Sequence, residues 1–143
     1  MKILVINGPN LNILGVRDIK MYGNKTLDQL EDELIRESKK LGCDIDFLQS
    51  NHEGEIVGKI GESINKYDAI IINPGALTHY SYSIRDALEA FTGKKVEVHI
   101  SNIYGREEFR RISVISSVVD GVISGFGNDG YLIAMKWLAS ILL

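Results

Sequence analysis

The sequence predicts an open, doubly wound α/β fold, in which a five-stranded parallel sheet carries helices on both faces. Strand-like runs alternate about five times with segments whose apolar residues recur at helical spacing, which is the order of successive βαβ units. One of these runs, residues 69–72, is apolar at every position, as in a parallel strand that is covered on both faces. Among doubly wound sheets, a flavodoxin-like strand order fits this alternation best.

The first half of the chain contains two predicted strands and two predicted helices. Residues 2–6 form the first strand, and a long loop separates it from the first helix. Thr26 begins that helix because it fits a capping box with the glutamine three residues later. Leucines at helical spacing follow, and Gly42 is the expected stop. Residues 44–49 form the second strand, and isoleucines spaced by four predict a second helix that ends near Tyr67.

The second half continues the alternation. The remaining predicted elements are a strand at residues 69–72, a sharp turn at 73–75, a helix at about 81–91, a strand at 96–100, a short helix at 107–111, a strand at 121–124 and a final helix from Tyr131 onward. Sheets of this kind bind ligands at the carboxyl ends of their strands, near the switch in strand order. We therefore expect a site at residues 7–10, 50–51, 73–75 and 99–102.

Length and composition indicate a single domain, residues 1–143, in a reducing cytoplasm. The chain has the usual size of one domain, and its one cysteine, Cys43, excludes an internal disulfide framework. We see no secretory signal, and the most apolar segment, residues 131–143, is too short to span a bilayer. A net charge of −3, without a basic run, argues against nucleic acid and anionic membrane surfaces as partners.

The stretch of residues 7–23 is the strongest local indication of a binding site. A connection between a strand and a helix usually takes about 2–6 residues, whereas this one is far longer. Its apolar content argues against disorder, and polar groups that can bind or transfer protons are interspersed. We therefore predict an active-site loop with a lid. A nearby arginine stabilises a tyrosine phenolate, and Arg17 and Arg106 are the candidates for Tyr22.

Two common kinds of site are disfavoured. Residues 125–130 match the pattern G-x-G-x-x-G, but only 13 residues follow, too few for the rest of a dinucleotide-binding unit. We interpret the segment as a glycine-rich turn that allows close helix packing. His52, His79 and His99 are widely separated in the sequence, and the chain has no second cysteine that could complete a set of metal ligands. No metal site is therefore predicted. His79 and His99 remain functional candidates because each lies near a strand's carboxyl end, whereas His52 is interpreted as an ordinary histidine.

Four blocks of sequence carry a more specific signal. They are NGPNLNILG at residues 7–15 with Arg17 and Tyr22-Gly23, NPGALTHYS at residues 73–81 with Asp86, EVHISNIYGREEFR at residues 97–110, and GVISGFGNDGY at residues 121–131. In this order and spacing they resemble the type II 3-dehydroquinate dehydratases, nearly from end to end. The resemblance implies a flavodoxin-like fold and reversible anti elimination of water from 3-dehydroquinate to 3-dehydroshikimate through an enolate, a step of the shikimate pathway. It implies no cofactor, metal or Schiff base, and a homododecamer built as a tetramer of trimers.

The resemblance also implies a role for each matching residue. Tyr22, as its tyrosinate, is the base that removes the C2 proton, and Arg17 on the lid stabilises that tyrosinate and the transition state. His99, oriented by Glu97, protonates the departing C1 hydroxyl. Asn10 holds a water that stabilises the enolate oxygen. The implied substrate contacts are the side chains of Asn73, His79 and Arg110, the backbone amides of Ile100 and Ser101, which receive the carboxylate, and Asp86 from a neighbouring subunit.

Departures from the family pattern are modest, and two alternatives stay open. Tyr80, Ile112 and Val114 differ from the usual residues, but none has an implied catalytic role. A lysine Schiff-base dehydratase would need a buried lysine at a strand end, and none is evident. The other alternative is a catalytically inactive ligand-binding domain on the same fold. The presence of base, acid and lid arginine together argues against it.

Overall fold

The computed structural model describes residues 1–143 and contains a five-stranded, all-parallel sheet. The strands are β1 (Lys2–Asn7), β2 (Asp44–Gln49), β3 (Ala69–Asn73), β4 (Lys94–His99) and β5 (Gly121–Ser124). Their order across the sheet is β2-β1-β3-β4-β5, and every neighbouring pair is parallel. This is the flavodoxin-like order, so the predicted fold class is confirmed.

Helices and short 3-10 turns connect the strands. The α-helices are α1 (Ile19–Tyr22), α2 (Leu27–Leu41), α3 (Glu53–Ser63), α4 (Tyr82–Ala90) and α5 (Asp129–Leu142). The 3-10 turns are Leu11–Ile13, Gly75–His79, Ile103–Gly105, Glu108–Arg111 and Ser116–Val118. None of the helices combines the length and the apolar content that crossing a membrane requires.

Helix α2 begins and ends as the sequence predicts. The backbone N–H of Gln29 donates to Thr26 Oγ1 at 3.2 Å, and the backbone N–H of Thr26 donates to Gln29 Oε1 at 2.9 Å. These reciprocal bonds complete the predicted capping box. At the other end, Gly42 takes a left-handed φ of 75°, which a glycine adopts without steric cost.

Three elements differ from the predicted ones by two residues or more at one boundary. Helix α3 stops a few residues early because Ile64 leaves the helical path with a ψ of 128°, and Asn65 after it adopts a left-handed φ of 63°. Strand β4 is displaced towards the N-terminus because Lys94 already pairs with Ala69 of β3. Helix α5 begins two residues early, at Asp129, where an acidic side chain is favourable beside the helix N-terminus.

The core consists of two apolar layers, one on each face of the sheet. Residues of β1 and β3 alternate between the layers: Ile3, Val5, Ala69 and Ile71 pack with α2 and α5, and Leu4, Ile6, Ile70 and Ile72 pack with α3 and α4. All eight side chains are fully buried. Because both strands are covered on both faces, their runs in the sequence are continuously apolar rather than alternating.

A buried hydrogen-bonded group joins the carboxyl ends of β1 and β3. The Tyr131 hydroxyl, on α5, donates to Asn7 Oδ1 at 2.6 Å and accepts from Asn73 Nδ2 at 3.0 Å. The backbone N–H of Gly75 then donates to Asn73 Oδ1 at 3.1 Å. Burial raises the pKa of Tyr131 well above its ordinary value, so the hydroxyl keeps its proton and serves as a donor.

The close approach of the two strand ends also depends on a glycine. The backbone N–H of Gly8 donates to the carbonyl oxygen of Asn73 at 2.8 Å. A Cβ on Gly8 would lie 2.6 Å from the carbonyl oxygen of Pro74, a distance that no side chain tolerates without a backbone shift. The two loops after β1 and β3 therefore share one rigid floor.

We expect Tyr131→Phe to lower the free energy of unfolding by about 1–3 kcal/mol, because it leaves buried polar atoms of Asn7 and Asn73 without their partner. Urea denaturation of the purified protein measures the change. Tyr104→Phe is the matched control, since Tyr104 is 56% exposed, and it should stay within about 0.5 kcal/mol of the wild type. Equal stability of the two variants would contradict the structural role assigned to the Tyr131 hydroxyl.

Candidate active site

A cleft lies at the carboxyl ends of β1, β3 and β4, where the sequence predicts the site. It contains about 580 Å³ of space, including its solvent-open mouth, which suits a small molecule. Nine of the predicted site residues line it: Asn10, Arg17, Tyr22, Asn73, His79, His99, Ile100, Ser101 and Arg110. No lysine does.

The loop after β1 reaches over this cleft and is anchored at its base. Leu11 and Leu14 are buried in the core beside α2 and α5. Beyond them, Gly15 and Gly23 have φ values of 89° and 77° and bound the segment that carries Arg17 and Tyr22. That outer segment exposes apolar side chains, with Val16 79% accessible. Anchored base and exposed tip are the arrangement expected of a lid.

Two guanidinium groups meet at the hydroxyl of Tyr22. Arg106 Nη1 donates to it at 2.8 Å and Arg17 Nη2 at 3.2 Å. The guanidinium carbon of Arg17 also lies 4.2 Å from the centre of the Tyr22 ring. A phenol oxygen that accepts two hydrogen bonds from cations is stabilised in its ionised form. The arrangement can therefore supply a base.

Arg106 lines the cleft beside the hydroxyl of Tyr22, for which the sequence indicated it as a candidate neighbour. Besides Tyr22, it donates to Ser101 Oγ at 3.1 Å, and its Nε is buried without a hydrogen-bond partner. Arg106 and Tyr22 are 84 residues apart in the chain, so only the fold brings them together.

His99 and Glu97 form a buried pair on the other side of the cleft. His99 Nε2 contacts Glu97 Oε2, and Glu97 is completely buried. Burial alone would raise the pKa of Glu97, but the hydrogen bond and positive charge of His99, with hydrogen bonds from Thr78 and Ser116, hold it below its ordinary value. Because a carboxylate can only accept, Nε2 carries the proton that joins the pair. Nδ1 is thereby left for the cleft that His99 lines.

His79 and Arg110 stand on the outer wall. His79 Nδ1 lies 2.7 Å from the carbonyl oxygen of Ile112, so this nitrogen carries a proton and Nε2 is available to a ligand. Arg110 Nε donates to Glu107 Oε2 at 2.6 Å. The ring of Phe109 packs edge-on against the ring of His79, with the two centroids 5.7 Å apart. The guanidinium carbon of Arg110 lies 4.7 Å from the centroid of the same Phe109 ring.

The strand ends supply polar groups at the floor of the cleft. Asn73 is buried and fixed at both ends of its amide, by Tyr131 and by the backbone of Gly75. After β4, the backbone N–H groups of Ile100 and Ser101 have no protein acceptor. Adjacent free N–H groups of this kind are suited to binding an anion.

Asn10 sits where β1 ends and the loop begins. It adopts a left-handed φ of 71°, and its backbone N–H donates to Asn51 Oδ1 at 2.9 Å. This contact ties the start of the loop to the end of β2. The side chain of Asn10 lines the cleft.

Some candidates lie away from the cleft. Asp86 is exposed on α4, so its implied contact with a neighbouring subunit remains a prediction. His52 is exposed before α3, consistent with its interpretation as an ordinary histidine. At the glycine-rich turn, a Cβ on Gly130 would lie 3.0 Å from Val98 Cγ1, which agrees with close packing of α5 on the sheet.

Comparisons with known proteins agree with this geometry. A sequence profile of the family described as dehydroquinase class II matches residues 1–139. A relative from Endomicrobium trichonymphae, named 3-dehydroquinate dehydratase, is 54% identical over 141 residues, which cover 99% of each protein. The type II dehydroquinase structure from Propionibacterium acnes has a TM-score of 0.95 at 44% identity and covers 97% of this chain and 96% of its own. The type II dehydroquinase structure from Butyrivibrio crossotus has a TM-score of 0.95 at 51% identity and covers 96% of this chain and 97% of its own.

The matched region includes every strand end that lines the cleft and the loop that covers it. The likeness therefore extends from the sheet to the groups that could carry out chemistry. The chain belongs to the dehydroquinase class II family.

Proposed function

We propose that this chain is a 3-dehydroquinate dehydratase, a hydro-lyase that converts 3-dehydroquinate reversibly into 3-dehydroshikimate. The observation that carries the proposal is the pairing, in one cleft, of a tyrosine hydroxyl held by two guanidinium groups with an imidazole held by a buried carboxylate. Elimination of water requires one base and one acid. The relative from Endomicrobium trichonymphae, which matches over 99% of this chain, bears the same enzyme name.

Tyr22 removes the proton from C2. Its oxygen accepts hydrogen bonds from Arg17 and Arg106, and their positive charges favour the phenolate that must act as the base. Arg17 belongs to the loop and Arg106 to the segment after β4. The base is therefore complete only when the loop lies against the body of the protein.

An enolate forms when the C2 proton leaves, and its oxygen needs hydrogen-bond donors. Asn10 holds a water for this purpose. Its backbone is fixed through Asn51, which supports a role that depends on a donor being in place before charge develops.

His99 protonates the departing C1 hydroxyl from Nδ1. The ionised carboxylate of Glu97 orients the ring through Nε2 and stabilises the imidazolium. Glu97 acts through His99 and does not line the cleft. This division of labour gives an acid on one side of the substrate and a base on the other, as an anti elimination requires.

The remaining groups bind the substrate. The free N–H groups of Ile100 and Ser101 receive the carboxylate, and Asn73, His79 and Arg110 bind the hydroxyls. His79 Nε2 is suited to this task because its Nδ1 already donates to Ile112. A Schiff-base mechanism has no support, since no lysine lines the cleft.

We further propose that the enzyme works as one catalytic domain in the cytoplasm, in the shikimate pathway that leads to chorismate and the aromatic amino acids. Its proposed assembly is a homododecamer, a tetramer of trimers, in which Asp86 reaches a neighbouring site. Several large apolar side chains are exposed on the isolated chain, among them Tyr80 and Tyr82 near Asp86. Exposed apolar surface of this kind supports association.

A spectrophotometric assay for enone formation from 3-dehydroquinate tests the reaction. We expect the wild type to be active and Tyr22→Phe and His99→Ala each to lose at least about 100-fold in kcat, because each removes one partner of general acid–base catalysis. Tyr104→Phe is the control for the tyrosine, since Tyr104 is exposed and outside the cleft. An inactive, properly assembled wild type would instead support the inactive ligand-binding domain.

Arg17→Ala should lower kcat severely, because Arg17 stabilises the tyrosinate rather than merely holding the substrate. Steady-state kinetics on the same assay separate kcat from KM. Arg111→Ala is the matched control, since Arg111 is exposed and lies outside the cleft. A rise in KM with unchanged kcat would show that Arg17 only binds substrate.

Native mass spectrometry should detect twelve chains, and Asp86→Ala should lower activity while leaving that mass unchanged. Chains with Asp86→Ala and chains with Tyr22→Phe should regain part of the activity when coexpressed, because some mixed sites then receive both intact residues. Glu89→Ala, exposed on the same helix, is the control. A lone monomer in solution, or no recovery in mixed oligomers, would contradict the proposed assembly.

A further inference from the structure

A short segment after Arg111 contacts His79 directly and reaches His99 through the carboxylate of Glu97. We call residues 112–116 the serine strap, since it contains Ser113 and Ser116. It follows the 3-10 turn Glu108–Arg111 and ends at Ser116, the first residue of the turn Ser116–Val118, and none of its residues lines the cleft. Its contacts nevertheless lead directly to the groups proposed to bind and protonate the substrate.

Both oxygens of the buried Glu97 carboxylate are occupied. Oε2 accepts from Thr78 Oγ1 at 2.6 Å and also contacts His99 Nε2. Oε1 accepts from Ser116 Oγ at 2.8 Å. A charged carboxylate with no solvent contact is stable only when such donors replace water. Two neutral hydroxyls therefore share with His99 the task of keeping Glu97 ionised and in one orientation.

The direction of the hydrogen bonds is determined by the number of protons. Thr78 has one hydroxyl proton and gives it to Glu97, so in its 2.9 Å contact with Ser113 Oγ the serine must donate. Ser113 Oγ then accepts from the backbone N–H groups of Ile115 and Ser116, at 3.1 and 3.0 Å. The hydroxyl protons of Thr78, Ser113 and Ser116 can therefore be placed in only one way that gives each of them an acceptor.

The strap is also tied to the 3-10 turn that carries Thr78 and His79. The backbone N–H of Val114 donates to the carbonyl oxygen of Thr78 at 2.9 Å, and His79 Nδ1 donates to the carbonyl oxygen of Ile112 at 2.7 Å. A displacement of the strap would consequently disturb the Glu97 carboxylate and the tautomer of His79 together.

We propose that Thr78 and Ser116 are positioning residues for the general acid, holding the Glu97 carboxylate so that His99 keeps Nε2–H on Glu97 and presents Nδ1 to the leaving hydroxyl. Ser113 sets the direction of the Thr78 hydroxyl. This inference rests on the proposed function, because it takes His99 as the acid. Thr78 and Ser116 act through Glu97 and His99 and touch no substrate.

Isosteric substitution separates the hydroxyl of Thr78 from its volume. We expect Thr78→Val to lower kcat by roughly 10–100-fold, the loss typical when an outer-shell partner of a metal-bound histidine is removed, with little change in KM. Thr78→Ser retains the hydroxyl and should restore most of kcat. Ser116→Ala should behave like Thr78→Val. Ser117→Ala is the matched control, because Ser117 is exposed and its hydroxyl only accepts from Arg85 at 3.0 Å.

A readout without turnover distinguishes a failure of this inference from a failure of the proposed function. Proton and nitrogen NMR of the histidine rings should show a strongly downfield Nε2 proton on His99 in the wild type, shifted in Thr78→Val and Ser116→Ala and unshifted in Ser117→Ala. Circular dichroism checks that each variant is folded. Wild-type-like kcat and ring signals in both hydroxyl-deletion variants would overturn the inference, as would an equal loss in Thr78→Ser and Thr78→Val. A wild type that forms no enone would refute the proposed function instead, and the ring signals would still test the strap.

Discussion

The hydroxyl of Tyr131 joins the carboxyl ends of the two central strands, and the geometry of the cleft depends on this contact. From α5 it contacts both Asn7 and Asn73, so the loops that follow β1 and β3 start from a common point. Asn73 is thereby oriented before any ligand arrives, and the loop after β1 leaves a floor that cannot shift independently of β3. Polar groups that are already held in place lose little conformational entropy when a ligand binds.

Charge then divides the cleft into two parts. Around Tyr22 stand two guanidinium groups, which favour an anion, whereas behind His99 stands a buried carboxylate, which favours a cation. Two side chains that can exchange protons thus face groups of opposite charge across one cleft, which suits the proposed roles of base and acid. The hydroxyls of Thr78 and Ser116 stabilise the carboxylate of Glu97 by hydrogen bonds. Because they are neutral, they do not cancel the negative charge that faces the imidazole of His99.

Features that depend on short-range order were readable from the sequence. Thr26 and Gly42 bound a helix through local bonds and backbone preference, and Glu97 and His99, two apart on a strand, necessarily share a face. Contacts between segments that are distant in the sequence could not be read from local patterns in this way. The sequence offered Arg106 only as one candidate neighbour of Tyr22 and did not single out Ser116, because both contacts follow from how loops pack over the sheet ends. No local pattern around Ser116 marks it as different from Ser117, although only Ser116 reaches the carboxylate.

The segment between Gly15 and Gly23 carries the proposed base as well as covering the cleft, and this has a consequence for inhibition. An ordinary lid shields a catalytic centre that persists when the lid is open. Here a compound lodged beneath Val16, keeping that segment raised, would withdraw Tyr22 from Arg106 and so dismantle the catalyst itself. Such a compound need not resemble the substrate, because it would act on the covering segment and not on the floor of the cleft.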